Sequence, residues 1–204
     1  MTAYQLRYCP ARYIYPGWMP SPLQVLAHAL PDWRCEGRVN AWLLSEMGLP
    51  LDYTMPQRLG GVALFPAQQL RSTLGMLGAM LHARAIRQLV DVGSLRRVHA
   101  AIGAQGHRYC LEHHALLIGT WPEDWQCALP AGDLDEYLPA CGLDFWLQAI
   151  GEVDQGFARR LQLRHAQVPV AAPFEVAAEQ RPLAQILCLK IARHTSPTCL
   201  HLLD

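Results

Sequence analysis

The feature that most constrains the fold is an apolar stripe near the middle of the chain. Its members are separated by four, three, four and four positions: Leu70, Leu74, Leu77, Leu81 and Ala85. This spacing places them on one face of an α-helix. Pro66 precedes the stripe and suits the first helical position, because its missing N–H would have no helical acceptor there. We therefore expect a helix that begins near Pro66 and buries this face.

Two further helices are predicted directly after the stripe. Gly93 and Ser94 are typical of a helix stop followed by a new N-cap. An apolar set at helical spacing follows: Leu95, Val98 and Ile102. The third predicted helix ends at Gly119, because glycine readily adopts the left-handed conformation that closes many helices. Residues 66–119 therefore predict three consecutive helices that form the central layer of one core.

Similar spacing predicts helices in four other segments, at 23–30, 39–47, 143–150 and 183–191. The last is expected to bury four residues: Leu183, Ile186, Leu187 and Ile191. Segments 62–65 and 160–174 favour extended backbone, although Pro169 and Pro173 limit the second to an edge strand. Whether segments 51–65 and 160–180 pair as a small sheet stays open. The predicted fold is mainly α: a single compact helical domain over residues 1–204, with at most a small β element.

The charge balance bears on the partners that this chain can attract. Lys and Arg together number 17, as do Asp and Glu, so the formal net charge is zero. No long-range field would therefore recruit nucleic acid or an anionic membrane. The chain is 51% hydrophobic, which indicates either a well-packed core or apolar surface that serves partner proteins.

The cysteines and the N-terminus bear on the compartment. Seven cysteines are scattered without a C-x-x-C pair, and this odd number argues against a disulfide framework and for a reducing compartment. The N-terminus lacks the apolar run of a signal peptide, and no stretch of about 18 apolar residues could span a bilayer. We expect a cytoplasmic protein that does not insert into the membrane.

The strongest pattern for metal binding is His107, Cys110, His113 and His114, spaced H-x2-C-x2-H-H. In a helix, Cys110 and His114 lie one turn apart and can share a metal ion. The spacing matches no standard zinc frame, and histidines that cap or pack a helix end are the alternative. Ser94 completes only half of a G-x-S-x-G nucleophile motif. We therefore predict no catalytic residue, no metal and no cofactor.

Two glycines interrupt the central stripe. Gly75 and Gly78 lie inside an apolar helical pattern, which is the wrong context for a phosphate-binding loop. Small residues at such positions allow two helices to approach closely. We interpret this pair as a packing feature.

Four residues are predicted to contact partner proteins: Trp121, Trp125, Arg96 and Arg97. The tryptophans lie in a polar, proline-bounded loop. They either anchor that loop on its own core or act as hot spots for a partner. The arginines form a pair that suits interface ion pairs but is too small for a nucleic-acid surface.

Five long segments carry a resemblance that spans nearly the whole chain: YQLRYCPARYI (4–14), LHARAIRQLV (81–90), HHALLIGTWPEDWQ (113–126), GLDFWLQAI (142–150) and QRPLAQILCLKIARHTSPTCLHLL (180–203). In this order they resemble the SctK family of bacterial type III secretion systems, the YscK-like proteins. None of the segments is a catalytic signature, so the resemblance assigns a role to no individual residue.

The resemblance implies a non-enzymatic cytoplasmic adaptor of the injectisome, located at the cytoplasmic face of the inner membrane. Such an adaptor links the forkhead-associated-like cytoplasmic domain of the ring protein SctD to the spoke protein SctQ. SctQ in turn connects to SctL and the ATPase SctN. Two alternatives stay open: a small metal-dependent enzyme that uses the 107–114 cluster, and a secretion chaperone that binds exported proteins.

Overall fold

The computed structural model describes residues 1–168 and 174–203. Nine α-helices are found in these residues: α1 Ala3–Tyr8, α2 Ser21–Ala29, α3 Gly37–Glu46, α4 Ala67–Leu81, α5 Ala83–Arg87, α6 Val92–Leu117, α7 Leu134–Ile150, α8 Gln155–Gln162 and α9 Arg181–Thr195. Short 3-10 helices connect several of them, and the described residues contain no strand. The predicted mainly α fold is confirmed. Within the same residues, no helix is long and apolar enough to cross a membrane.

The central stripe is helical as predicted, but it is divided between two helices. Helix α4 follows Pro66 and ends at Leu81, so Ala85 belongs to α5. The break has a tertiary cause. The N–H of Cys127 donates to the carbonyl of Leu81 at 3.0 Å, and the ring of buried His82 pairs with the carbonyl of Cys127 at 3.2 Å. These contacts hold the last turn of α4 against a later loop.

The next two predicted helices are the two halves of α6. They meet at Gly103, whose φ of 71° and ψ of 167° are not helical. Asp91 caps the helix by accepting a hydrogen bond from the N–H of Ser94, so the predicted cap at Ser94 is wrong. A carboxylate three residues upstream satisfies a donor of the first turn. Gly119 has a φ of 70°, in the left-handed region that was expected of it.

Both predictions of extended backbone fail in the described residues. Segment 62–65 falls mostly in the 3-10 helix Gly60–Leu64. Segment 160–174 begins inside α8, where Phe157 and Leu161 are four residues apart and fully buried on one helical face. The helical spacing of these two residues determines the structure at the start of the segment, where extended backbone was predicted. The prolines at 169 and 173 lie outside the described residues.

The core is centred on the contact between α4 and α7, where two glycines let the backbones touch. A Cβ atom at Gly78 would overlap the carbonyl of Leu138, and one at Gly142 would overlap the carbonyl of Leu74. Each helix therefore presents bare backbone to the other. Gly75 is less crowded, since its Cβ would lie 3.6 Å from Pro139. The interpretation as a packing residue is confirmed for Gly78, whereas a Cβ at Gly75 would make only ordinary van der Waals contact.

A buried arginine ties the N-terminal helix to α8. Arg160 is fully buried and donates hydrogen bonds to the carbonyls of Leu6, Arg7 and Gly156. Its guanidinium also lies 4.3 Å from the ring centroid of Tyr53. Since a buried cation is costly unless its donors are satisfied, these carbonyls fix α1 and α8 relative to each other.

Alanine substitutions test the glycine contact. We expect Gly78→Ala to lower the free energy of unfolding by about 3 kcal/mol, because the added methyl meets a carbonyl that cannot move without shifting α7. Gly75→Ala, one turn away on the same helix, is the matched control and should change stability by less than about 1 kcal/mol. Urea denaturation of both variants measures the difference. Equal losses would contradict the assignment of the closest approach to Gly78.

A buried histidine should make the fold sensitive to acid. Burial, together with the charges of Arg164 and Arg71, lowers the pKa of His165 to about 3. The unfolded chain takes up a proton below a pH of about 6.5, whereas the folded chain does not, so stability falls as the pH falls through this range. The loss is at most about 1.4 kcal/mol per pH unit for this histidine.

Urea denaturation between a pH of about 7 and about 5 checks this effect, with His165→Gln as the comparison. The variant should show a shallower decline of stability with falling pH, because glutamine does not titrate. Parallel declines in the two proteins would assign the acid sensitivity to other groups.

Candidate partner-binding surface

The segment 118–133 connects α6 to α7 and contains two of the residues predicted to bind partners. Trp125 belongs to the 3-10 helix Glu123–Trp125 and is fully buried. Its ring meets that of Phe145 edge to face, with centroids 4.9 Å apart and an interplanar angle of 86°. Such a geometry favours attraction between aromatic rings beyond their burial. Trp125 therefore anchors the segment on the core, which favours a packing role for this residue over a hot spot for a partner.

The residues after Trp125 attach the segment to the end of α4. The amide nitrogen of the Gln126 side chain donates to the carbonyl of Met80 at 3.1 Å. Its amide oxygen accepts from the N–H of Arg84 at 3.1 Å. With the Cys127–Leu81 hydrogen bond, these contacts satisfy backbone groups that the break between α4 and α5 leaves without helical partners.

Trp121 closes the end of α6. Its indole N–H donates to the carbonyl of His114 at 2.7 Å, and its ring stacks on the His114 imidazole with centroids 4.5 Å apart. Because α6 ends at Leu117, this carbonyl is among the last four of the helix, which have no helical donor. Trp121 is only half-buried, so part of its ring stays available to a partner.

The two arginines have different surroundings. The Arg97 guanidinium donates to the carbonyl of Pro130 at 2.7 Å and to that of Gly132. It therefore holds the far end of the 118–133 segment against the first half of α6. Arg96 is exposed. Of the four predicted residues, Arg97 and Trp125 position the segment, whereas Arg96 and Trp121 retain surface of their own.

The histidine and cysteine cluster of α6 is not brought together. Its ring nitrogens and sulfur face different neighbours: His107 pairs with His99 at 3.0 Å, His113 stacks on Tyr109, His114 stacks on Trp121, and Cys110 is buried. Burial raises the pKa of Cys110 to about 12, which disfavours the thiolate that binds metal. In the described part of the chain, no three His, Cys, Asp or Glu side chains are arranged to hold a metal ion.

A surface that the sequence analysis missed lies on α9. Ile186 was expected in the core but is 46% exposed, and Leu189 is 40% exposed. The fully buried face consists of Ala184, Leu187, Cys188 and Ile191, two of which were predicted. The exposed apolar residues line an open groove together with Pro182, Leu200 and Leu203, which we call the α9 groove. Of the four residues expected in the core, Leu187 and Ile191 are fully buried and Leu183 is partly buried, so the expectation is wrong only for Ile186.

Comparison with known proteins identifies the family. The family model described as "YOP proteins translocation protein K (YscK)" matches residues 1–204. The chain belongs to the YscK family. Relatives named "Yop proteins translocation protein K" occur in Yersinia pseudotuberculosis serotype I (strain IP32953) and Yersinia enterocolitica. Each is 39% identical over 202 residues, which cover 99% of this chain and 97% of the relative. The resemblance drawn from the five sequence segments is confirmed.

A solved structure extends the similarity to the fold of this YscK-family chain. It is described as the cytoplasmic domain of the T3SS sorting platform protein PscK from P. aeruginosa. The sequences are 46% identical, the TM-score is 0.82, and the match covers 98% of each chain. The helical arrangement described above is therefore shared with a family member.

Substitution of the tryptophans separates packing from partner binding. We expect Trp125→Ala to lower the free energy of unfolding by about 4 kcal/mol, because it empties a fully buried aromatic site. Trp121→Ala should cost only about 1–2 kcal/mol, through loss of one hydrogen bond and a partly exposed stack. Urea denaturation measures both. If Trp125→Ala kept its stability and lost only partner binding, the assignment of this residue to the core would be wrong.

Proposed function

We propose that this YscK-family chain is a non-enzymatic adaptor in the sorting platform of a type III secretion injectisome. As a single adaptor domain over residues 1–204, it links the cytoplasmic domain of an SctD-type ring protein to an SctQ-type spoke protein. Through SctQ it connects indirectly to SctL and the SctN ATPase. Its place is in the cytoplasm, at the inner face of the inner membrane when the platform is assembled.

The observation that carries this proposal is the likeness to the sorting platform protein PscK over 98% of both chains, with a TM-score of 0.82. At 46% identity the two proteins share much of their sequence as well as the path of the backbone. A shared position in the sorting platform accounts for the similarity of sequence and for the similarity of fold.

The chemistry of the buried side chains also favours an adaptor over an enzyme. Burial raises the pKa of Cys110, Cys141 and Cys188, so these thiols stay protonated and weakly nucleophilic at neutral pH. His82 is held neutral inside the core, because burial lowers its pKa. These titratable groups serve packing between helices.

An adaptor needs at least two separate contact surfaces. Arg96 lies near the start of α6 and Trp121 lies beyond its end, so the two residues are at opposite ends of this helix. We keep both as partner-binding residues. Arg97 and Trp125 contribute indirectly, by fixing the 118–133 segment on which Trp121 is carried.

Co-purification tests the adaptor role. The full chain is mixed with the SctQ-type protein and with the cytoplasmic domain of the SctD-type protein from its own operon, separately and together. We expect binding to each and a complex of all three, because a linker must hold both partners at once.

Two results would contradict this proposal. If neither protein bound the folded chain under reducing conditions, the adaptor role would be wrong. If the chain bound exported proteins instead of ring or spoke components, the chaperone alternative would replace it. Loss of the complex in Arg96→Glu with retained stability would support the assignment of that residue.

A further inference from the structure

Apolar side chains line much of the α9 groove. Pro182, Ile186, Leu189 and Arg193 are spaced by four, three and four positions, so they follow one exposed line along the helix. Leu200, from the 3-10 helix Pro197–Leu202, lies beside this line. An apolar stripe set in a concave surface is a more specific feature than scattered exposed apolar side chains, which are common on proteins.

The walls of the groove are fixed by contacts beneath it. A Cβ at Gly61 would overlap the carbonyl of Leu202, so the C-terminal 3-10 helix packs directly on backbone. Leu59, which lines one end, has a φ of 60° and is held there by a 3.1 Å hydrogen bond from the Trp146 indole to its carbonyl. Non-glycine residues in this conformation persist only where the surroundings impose it. A groove preformed in this way loses little conformational freedom on binding.

Among the described residues, the charged side chains that line the groove have one sign. Arg58, Lys190 and Arg193 line it, and no acidic side chain does so among the described residues; Asp204 follows Leu203 but lies outside them. This local excess stands out in a chain with a formal net charge of zero. A partner that fits must therefore bring apolar side chains together with carboxylates. A second copy of this chain would bring the same cations to the contact and is disfavoured.

From this complementarity we propose that the α9 groove is a docking site for an acidic amphipathic segment of a partner protein in the secretion apparatus. Apolar side chains of that segment pack against Ile186 and Leu189, and its carboxylates pair with Lys190 and Arg193. The inference rests on the proposed adaptor function, since the partner is sought among the platform components that the adaptor joins.

The sequence offers a direct test, because Lys190 is the only lysine in the chain. A carbodiimide joins an amine to a carboxylate that it already contacts. We expect treatment of the full chain in complex with the SctQ-type protein or the SctD-type cytoplasmic domain to link Lys190 to an aspartate or glutamate of one of them. Mass spectrometry identifies the linked peptide. Lys190→Arg lacks the amine, so it should lose this cross-link even where it still forms the complex.

Paired substitutions test the groove by affinity. The double variant Leu189→Ser, Arg193→Ser should weaken binding of the cross-linked partner at least about tenfold, as expected for the loss of contacts at the centre of an interface. The matched control is Val25→Ser, Arg38→Ser, which removes an exposed apolar side chain and an exposed arginine from α2 and α3. It should change the affinity less than about twofold. Melting temperatures of the two variants should match, because all four side chains are exposed.

The outcomes separate the two proposals. If wild-type chain binds a partner but the groove variant binds it equally well and Lys190 forms no cross-link, the docking site is wrong and the adaptor role stands. If neither partner binds the wild type, both proposals fall. Self-association that the groove variant abolishes would assign the groove to a second copy instead. Sedimentation with phosphatidylglycerol vesicles that depends on Arg193 would assign it to an anionic membrane.

Discussion

The contact between the backbones of α4 and α7 is the constraint on which the rest of the structure depends. Gly78 and Gly142 bring the two helices so close that neither position has room for a methyl group. This closeness puts Phe145 of α7 within reach of Trp125, which anchors the 118–133 segment. It also leaves Trp146 on the same helix facing Leu59. Both of the surfaces proposed for partners are therefore positioned, through aromatic side chains, by one helix pair.

Tertiary hydrogen bonds decide where the central helices end. The carbonyls of Met80 and Leu81 receive donors from Gln126 and Cys127, and that of His114 receives the indole N–H of Trp121. A loop of polar and proline residues thereby completes both α6, which it follows directly, and α4, which is far from it in sequence. Such a loop can carry surface for recognition while its backbone remains held, because its anchors are separate from its exposed atoms.

The sequence predicted the helices well where apolar spacing had one solution, as along the stripe that begins at Leu70. The prediction was less accurate where the apolar spacing fitted two faces of the same helix. On α9, the predicted Leu187 and Ile191 are buried, but Ile186 is exposed. The small residues Ala184 and Cys188 complete the buried face. The end of α4 could not be predicted from local sequence either, because its hydrogen-bond partners lie more than 40 positions further along the chain. The partner-binding residues at 96 and 121 remain predictions.

At the break in α6, the space around a residue and the backbone conformation that it must adopt place different demands on the sequence. Nothing lies within 4 Å of the place where a Cβ of Gly103 would sit, so a side chain has ample room there. Its φ of 71° with ψ of 167° is nevertheless a conformation that essentially only glycine adopts. Among YscK-family sequences, this position should thus vary less than its open surroundings suggest. Exposure measures only the space around a residue, whereas the backbone dihedral angles of Gly103 set the direction of the second half of α6.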